Sequence, residues 1–547
     1  MSEAITGIST ERRLFGYLSF QVAGTLVSRL TGFIRELVTA AYFGAGPAAD
    51  AFIAALTIPN LFRDVLGEDV VERSFMPGIR EELARKEHER AWRLASASLN
   101  WMLVGLALTV AFIWYFAPWL VDLVAHGIRG REVDEGTIHD VIAMTRVLSP
   151  FILFIGLAAF VGGLLYYGYD LHLVFSLAPA TLSIGVIAGV VFLTKSAGVY
   201  ALAWGFVIGA GLQFVVQVPF LWNRRVRASE PRYHMVLKPP TGYSRRMARE
   251  SGHVTLQSLL TKTTEIVDRR VASFLAPGGI SSLWFAMRLV QLPFAIIAIA
   301  ISRAVTPYLS EMVGTGNRAE FKRVLLVGYR YNLLFILPIT GLLIILAHPI
   351  VRLVYERGKF GAHDTDMTTL AFWCYAAGLM GMSLFTLGSR VCSALERNRV
   401  ATLTATVGAA LNIWLNYVLS ATPLRHGGIA LATSIGYSVN ALLLFIWLHH
   451  HLRQGDSGFR FRELAVPALR VAGNALIAAF GAYGIYRWVI MPSQWLMAGG
   501  LIRNAAAVAI PLTIGGVVYV VSSLLNPVEE VRPVIRRVGR LLSAQPK

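Results

Sequence analysis

The sequence predicts an all-α polytopic membrane protein with 14 transmembrane helices, arranged as two pseudo-symmetric six-helix lobes plus a C-terminal two-helix extension. Of the 547 residues, 55% are hydrophobic and only 15% are charged, whereas a soluble chain carries about a quarter charged residues. The mean hydropathy is +0.57. Apolar stretches of about 20 residues recur along the chain, too long and too continuous for the alternating strands of a barrel. Since only helices and closed barrels can span lipid, these stretches predict helices.

The basic residues indicate which side of the membrane each loop faces. Loops after even-numbered spans hold most of the Lys and Arg, as in residues 80–93, 224–249 and 532–540, while odd loops are short or mixed, such as the acidic segment 132–135. Cytoplasmic loops carry such a basic excess, so both termini are predicted to be cytoplasmic. The predicted spans are 15–43, 47–77, 93–123, 140–168, 172–194, 199–222, 252–276, 281–309, 323–352, 367–392, 399–420, 427–450, 465–490 and 500–525.

The chain also repeats itself at an offset of about 230 residues. Segment 40–47 finds an echo in 272–279, and each is followed by an apolar helix that reaches a proline, Pro59 or Pro293. Such repeats favour two halves of parallel topology, with the substrate bound between them near the bilayer midplane. The predicted division is an N-lobe at 1–223, a basic cytoplasmic linker at 224–250, a C-lobe at 251–452, and a hairpin with a basic cytoplasmic tail at 453–547.

Other classes of protein are disfavoured. The formal charge of +18 would suit a nucleic-acid-binding protein, but the alternation of basic loops explains it by topology, so no nucleic-acid partner is predicted. The two cysteines, Cys374 and Cys392, are interpreted as buried small hydrophobes. No Walker loop, nucleophile elbow or zinc spacing is present. No secretory signal with a cleavage site is visible, so the first helix is expected to remain. We therefore predict a transporter and not an enzyme.

Arginines inside the predicted spans are the strongest functional signal. Arg29 and Arg35 lie in the first span, Arg63 in the second and Arg288 in the eighth. An arginine at the middle of a spanning helix costs about 2.5–3.5 kcal/mol, and such charges usually face a water-filled cavity or a partner. Arg29 lies on nearly the same helix face as Glu36, seven residues later, while Arg35 points about 120° away. This stretch predicts the wall of a cavity that attracts anions.

A structural alternative stays open for these arginines. In it, the first three are ion-pair partners of Glu36, Asp50 or Asp64. Arg288 has no acidic residue within two helical turns, so it needs a partner from another helix or an anionic ligand, and we favour the ligand.

The seventh predicted span is unusually polar. Lys262, Glu265 and Arg269 form a stripe that can satisfy its own charges along one face. Asp268 lies off that stripe, where either a salt bridge or a cation site would use it. On the eleventh span Asn412 and Asn416 face one direction, and intramembrane Asn pairs more often link helices than bind ligands.

Several segments of the sequence resemble those of a known family. The resemblance lies in segments 28–35, 43–46, 50–52, 58–63 and 74–77, and continues through 272–275, 288–289, 307–310 and 427–433. These segments are similar to those of the MurJ (MviN) lipid II flippases, within the multidrug/oligosaccharidyl-lipid/polysaccharide exporter superfamily. The likeness covers nearly the whole chain, and the N-terminal motif is its most specific part.

The resemblance implies a carrier that moves the undecaprenyl-diphosphate-linked peptidoglycan precursor from the inner to the outer leaflet by alternating access. By motif position, the family's cavity residues fall on Arg29, Arg35, Arg63, Arg288 and Asp50, with Glu36 where an aspartate is common. Their implied role is to hold the diphosphate and sugar headgroup, which suits the fork geometry of guanidinium. Spans thirteen and fourteen would form a groove for the polyprenyl tail.

The resemblance also bears on ions. Some family members carry a sodium site, and its positions map onto Asp268, Asn412, Asn416 and Thr433. Asn416 stands where some sodium-binding members have a carboxylate, and Met287 and Gln291 flank Arg288 where some relatives have acids. With one acid fewer, a weaker sodium site is expected here; sodium is the candidate coupling ion, and no other cofactor is expected.

The predicted function is therefore a lipid II flippase of the bacterial inner membrane. The expected partners are lipid II, membrane lipids and the cell-wall synthesis machinery, with the protein itself a monomer. Three alternatives stay open: a flippase for another polyprenyl-diphosphate-linked oligosaccharide such as an O-antigen unit, a drug/cation antiporter, and a membrane-embedded glycosyltransferase. An antiporter would want acidic rather than basic cavity residues, and a glycosyltransferase would want a paired acid or base near a large external loop.

Overall fold

The computed structural model describes residues 24–64, 70–129, 136–229, 233–238, 240, 243–453, 462–493 and 500–526. Within these ranges the chain forms helices joined by turns, and no strand occurs. The predicted all-α class is thereby confirmed for the described part of the chain. The acidic segment 132–135 and the basic tail after residue 526 lie outside the described residues.

Helices α1 to α9 occupy the first half of the chain. α2, α5 and α7 run on into short π-helical or 3₁₀ turns at their C-terminal ends. The bounds are α1 24–43, α2 Pro47–Phe62, α3 Met76–Ala84, α4 His88–Arg129, α5 Gly136–Gly163, α6 His172–Ala197, α7 Tyr200–Gln217, α8 Arg224–Arg227 and α9 Tyr243–Ser273.

Helices α10 to α19 occupy the second half. A π-helical turn, Phe294–Ala298, joins α10 to α11, and another, Tyr486–Ile490, extends α18. The bounds are α10 Gly279–Pro293, α11 Ile299–Gly314, α12 Arg318–Ile345, α13 Ala347–Tyr355, α14 Ala362–Ala377, α15 Leu379–Ala394, α16 Asn398–Ser420, α17 His426–Arg453, α18 Arg462–Ile485 and α19 Leu501–Leu525.

Ten spans of the described residues are long and apolar enough to cross a membrane, and an eleventh results if the bent pair α14–α15 counts as one span. The chain is therefore a multi-pass membrane protein. Three further predicted spans fall on helical residues: α1 is described only from residue 24, α2 is a shorter apolar helix, and α9 carries many charged groups.

Several predicted boundaries are wrong. α4 has 42 residues where the sequence predicted 93–123, and it is kinked at Ala125 (φ −136°, ψ 34°). The predicted span 323–352 is two helices that meet at Leu346. The predicted span 367–392 bends by 42° at Gly378, where a side chain would meet Ser434 of α17 at 2.3 Å. Close packing against a neighbouring helix, which hydropathy cannot reveal, causes this bend.

The internal repeat reappears in the elements. α1 ends at Gly44 (φ +65°) and α2 begins at Pro47, while α9 is followed by Gly278 (φ +87°) and α10 begins at Gly279. π-helical turns follow both repeated prolines, beginning at residue 63 after Pro59 and at Phe294 after Pro293. The two halves of the sequence thus encode the same local course of the chain.

The chain divides into two compact units. Unit 1 is the chain up to Ile280 together with Arg357–Lys359, and unit 2 is Ser281–Glu356 together with the chain from Phe360 onward. α9 was predicted in the C-lobe but packs here within unit 1, where its Ser251 side chain hydrogen-bonds that of Ser74 at 2.8 Å. The predicted lobes at 1–223 and 251–452 stay a prediction.

Each unit has its own apolar core. In unit 1 the rings of Phe52, Phe151 and Phe206 meet with centroids 5.7 and 5.8 Å apart. These rings join α2, α5 and α7 beside the cationic residues of α1. In unit 2, Phe285 packs against Tyr355 at 5.0 Å and joins α10 to α13.

Candidate anion-binding and transport site

The guanidinium of Arg35 lies inside unit 1 with 16% of its side chain exposed. It stacks on the ring of Phe206 at 5.3 Å, and its Nη2 donates to Glu36 Oε1 at 2.7 Å. Glu36 itself is buried. The ring and the carboxylate together offset the cost of keeping this cation away from water. Because Arg has five N–H donors, the pair leaves donors for an anion.

One face of α1 is buried at its C-terminal end and exposed nearer its N-terminal end. Glu36 and Ala40 are buried, with Ala40 at 0% exposure, whereas Arg29, two turns earlier on that face, is exposed. Among the described residues Arg29 takes part in no hydrogen bond or ion pair. This face therefore runs from a buried end to an exposed end that carries a cation.

Arg63 belongs to a chain of charges at the C-terminal end of α2. Its Nε and Nη2 both donate to Asp64 Oδ1, at 2.9 and 2.6 Å. Lys262 of α9 lies 2.5 Å from Asp64 Oδ2 and 3.3 Å from Glu265. The predicted Lys262–Glu265 contact on α9 is confirmed. The carboxylate of Asp64 serves both cations, so Arg63 has the structural partner that the sequence analysis left open.

Asp50 is fully buried at the first turn of α2. Its Oδ2 accepts a hydrogen bond from the backbone N–H of Gly278 at 2.8 Å. A carboxylate that accepts from a backbone N–H makes a charge-assisted bond, stronger than a neutral one. Its predicted contact with substrate stays a prediction, while its contact in this structure is with the loop after α9.

Unit 1 is tightly packed at this end. The N–H of Gly127 in α4 donates to Ser273 Oγ at 2.9 Å, and a side chain at Gly127 would meet the backbone of Phe274 at 2.5 Å. The N–H of Lys359 donates to the carbonyl of Ala41 at 2.8 Å. With the Asp50 bond, these contacts close the end of unit 1 that lies opposite the exposed part of α1.

Arg288 lies in α10 of unit 2. Its guanidinium sits 4.1 Å from the centroid of Trp284, and its Nη1 donates to Gln291 Oε1 at 3.0 Å. The aromatic face stabilises the cation by its quadrupole, and the amide takes only one of five donors. Position 291, where some relatives have an acid, thus supplies Arg288 with a neutral partner, the amide of Gln291.

The residues predicted to bind sodium are divided between the units. In unit 2 the amide of Asn412 donates to Thr433 Oγ1 at 3.2 Å, and that of Asn416 lies 3.4 Å from Asn412 Oδ1. The Asn412–Thr433 bond links α16 to α17, as the interpretation of the asparagines expected, whereas the Asn416–Asn412 bond lies within α16. The oxygens suit a hard cation in type, but they are neutral, and Thr433 Oγ1 and Asn412 Oδ1 already accept these hydrogen bonds. Asp268 belongs to unit 1 and is half-buried.

Sequence reasoning missed several residues. Lys262 as a partner of Asp64, and Gly278 as a partner of Asp50, lie in another part of the chain, and nothing local marks them. Trp284, by contrast, lies four residues before Arg288, which is a stacking distance on a helix. That spacing could have been read from the sequence.

Known proteins are similar to this chain in sequence and in fold. The family model described as "Lipid II flippase MurJ" matches residues 39–505. The lipid II flippase MurJ of Burkholderia cenocepacia is 29% identical over 491 residues, covering 86% of this chain and 89% of the relative. The probable lipid II flippase MurJ of Rhizobium meliloti is 29% identical over 510 residues, covering 90% and 92%.

Solved structures share the fold. A lipid II flippase MurJ in an inward closed conformation superposes with a TM-score of 0.75 at 24% identity, over 94% of this chain and 99% of that one. An inward-facing multidrug resistance transporter of the MATE family, MOP superfamily, gives a TM-score of 0.65 at 14% identity, over 79% and 97%. The fold of described helices is that of these transporters.

Proposed function

The chain belongs to the lipid II flippase MurJ family, and we propose that it moves lipid II across the bacterial inner membrane. The family is one of transporters, so the work done on the cargo is translocation and not catalysis. Peptidoglycan synthesis outside the membrane would use the lipid II that is delivered. The multi-pass helical fold supports this proposal, because a lipid with a large polar headgroup needs a protein path through the hydrocarbon core.

The observation that carries the proposal is the exposed side chain of Arg29. It lies on the face of α1 that is fully buried further along the helix, at Ala40. An exposed cation kept in a spanning helix, with no hydrogen bond or ion pair among the described residues, suits a transient anionic ligand better than a permanent partner. The diphosphate of lipid II is such a ligand, and guanidinium matches phosphate oxygens in geometry.

The remaining candidate residues have proposed roles of two kinds. Arg35, Arg63 and Arg288 would contact the diphosphate or the sugars at some stage of the cycle, with Glu36 holding Arg35 in place. Asp50 would act by holding the loop after α9 while that end of unit 1 is closed. In this proposal the chain has fourteen spans in two six-helix lobes with a two-helix extension. Both termini are cytoplasmic, and the exposed end of α1 opens to the cytoplasm.

Sodium would act as a coupling ion. The oxygens of Asn412, Asn416 and Thr433 would contribute to its site, with Asp268 supplying the negative charge. Because the three oxygens of unit 2 are neutral, we expect weak binding of sodium, with affinity that depends on Asp268. The protein is proposed to work as a monomer beside the cell-wall synthesis machinery.

Complementation tests the proposal. A bacterium depleted of its own flippase receives this gene as wild type, Arg29→Ala, Arg288→Ala or, as a control, Arg146→Ala. Arg146 is a matched control because it too stacks on an aromatic ring, that of Trp114 at 5.2 Å, but lies outside the candidate site. We expect growth with the wild type and the control, and none with the other two at equal membrane abundance.

Two outcomes would contradict the proposal. Growth with both Arg29→Ala and Arg288→Ala would show that these cations do not serve the cargo. Failure of the wild type to rescue, together with rescue of a strain that lacks an O-antigen flippase, would favour another polyprenyl-diphosphate-linked oligosaccharide as the cargo.

A further inference from the structure

Part of the basic linker is held against α4. We name residues 233–238 the linker strap; it has no regular secondary structure, contains a tight turn in which the N–H of Val236 donates to the carbonyl of His234 at 2.8 Å, and lies beside the N-terminal part of α4. The amide of Asn100 donates to the carbonyl of Val236 at 2.9 Å, and the indole N–H of Trp101 donates to the carbonyl of Leu237 at 2.8 Å. These bonds fix the strap to a membrane-spanning helix of unit 1.

The strap has two different edges. His234 and Val236 are half-buried against α4, whereas Tyr233, Met235 and Leu237 are 61%, 94% and 54% exposed. The hydroxyl of Tyr233 donates to Asn100 Oδ1 at 2.5 Å, so this side chain is tied to α4 while most of it stays exposed. The exposed part of Tyr233 and the side chains of Met235 and Leu237 form the outer edge of the strap.

The position of Trp101 gives the level of the strap in the membrane. Residues 94–121 of α4 contain no charged side chain, so the hydrocarbon core, which needs about 20 helical residues, lies within this run. Trp101 is 54% exposed and lies toward the end of the run that follows the basic loop 80–93, and exposed tryptophans are enriched at the membrane–water interface. Since its indole bonds the strap, the strap lies at the level of the headgroups.

Basic residues precede and follow the strap in the sequence. Arg224, Arg227 and Lys238 are exposed, and the linker from 224 to 250 has eight Lys and Arg against two Glu. Exposed apolar side chains beside basic ones are typical of segments that lie in the interface of an anionic membrane.

From these observations we propose that the linker strap binds anionic phospholipids of the leaflet on the basic side of the membrane. Tyr233, Met235 and Leu237 enter the boundary between headgroups and acyl chains, and Arg227 and Lys238 contact the lipid phosphates. This surface is separate from the site for the cargo, and its test needs no lipid II.

Depth measurements on the full-length protein test the proposal. A nitroxide label is placed at Met235→Cys and, as references, at Glu89→Cys and Leu108→Cys, in liposomes with about one third phosphatidylglycerol. Glu89 precedes Trp101 by about 18 Å of helix and is 70% exposed, so it reports water. Leu108 is 66% exposed beyond Trp101 and reports lipid. We expect a label at 235 to collide with oxygen more than with a nickel chelate, as at 108. A ratio equal to that at 89 would overturn the proposal.

A second comparison tests the anionic headgroup. Replacing phosphatidylglycerol by phosphatidylcholine, or introducing Arg227→Gln and Lys238→Gln, should shift the label at 235 toward water. The lipid-immersed population should fall about five-fold for each charge removed. Glu89→Gln is the matched control and should leave the label at 235 unchanged. Equal immersion in both lipids would overturn the role of charge, even if the apolar edge is immersed.

Discussion

Removing the carboxylate of Asp50 should weaken the packed end of unit 1. The fully buried Oδ2 accepts from the backbone N–H of Gly278 at 2.8 Å. Asp50→Ala leaves that N–H without this acceptor, and hydrogen bonds to charged groups contribute about 1.5–3 kcal/mol. Because this bond ties the start of α2 to the loop after α9, its loss should favour opening of that end.

The magnitude follows from the same range. A change of 1.4 kcal/mol is a factor of ten in an equilibrium constant, so the open population should rise about ten- to 150-fold. Asp50→Asn keeps an oxygen acceptor but removes the charge, which halves the strength of such a bond in general terms. Its effect should therefore be smaller than that of alanine.

Labelling of a buried cysteine measures this opening. Ala40→Cys lies at 0% exposure near the packed end of α1, and Cys374 and Cys392, both buried, are first replaced by alanine. The rate of modification by an impermeant maleimide, added on the side opposite the basic loops, reports the open population. We expect the order Asp50→Ala, then Asp50→Asn, then wild type.

The control and the refuting result are direct. Ala48→Ser changes an exposed residue in the same turn of α2 and should leave the rate unchanged. Equal rates for Asp50→Ala and wild type would refute the role of the Gly278 bond, and so would an equal increase in the Ala48→Ser control.

Three further predictions concern packing, a buried carboxylate and the coupling ion. Gly127→Ala should lower the melting temperature, since its Cβ would lie 2.5 Å from backbone and overpacking costs about 1–3 kcal/mol; Gly105→Ala, in open space on the same helix, should not, and equal losses would contradict the packing argument. Tyr243→Phe removes the hydroxyl that donates to the buried Glu82 at 2.9 Å, at about 1–3 kcal/mol. Burial and that carboxylate raise the pKa of Tyr243 to about 12, so the phenol keeps its proton and the loss in thermal stability should be constant between pH 6 and 9; a loss that vanishes within this window would contradict the assignment. Asn412→Ala should abolish any stimulation of lipid II transport in proteoliposomes by sodium over potassium, and undiminished stimulation would exclude this asparagine from the ion site.

Features that depend only on neighbouring residues in the chain could be predicted from the sequence. Hydropathy over about 20 residues locates the ten or eleven long apolar helices of the described residues, and the echo of 40–47 in 272–279 anticipates the matching glycine turns. The Lys262–Glu265 contact follows from helical spacing alone. The burial of Cys374 and Cys392 follows from their apolar surroundings, and the structure confirms it.

Contacts between distant segments could not be predicted. Asp64 with Lys262, and Asp50 with Gly278, depend on how α2 and α9 pack. On α1, the helix-face argument placed Glu36 beside Arg29, yet its ion pair at 2.7 Å is with Arg35. A long arginine side chain can reach around the helix, so the direction of its Cβ does not decide where the guanidinium lies.

The length of α4 shows a related limit. Hydropathy predicts only the part that lies in lipid, whereas the helix has 42 residues and extends about 63 Å. The additional residues are 88–92 and 124–129, and the first of these segments begins with the polar run His88, Glu89 and Arg90, which lowers its hydropathy. The end of a span is therefore a poor guide to the end of its helix.

Transport of lipid II by purified protein in proteoliposomes tests the central claim most directly, that guanidinium groups inside the spanning helices serve a diphosphate lipid. Wild type and the Arg146→Gln control should expose labelled lipid II in the opposite leaflet at equal rates. Arg29→Gln should slow this about ten- to 150-fold, as expected for one lost charge-assisted bond to phosphate. Transport by Arg29→Gln at the wild-type rate, with the protein correctly folded, would contradict the account.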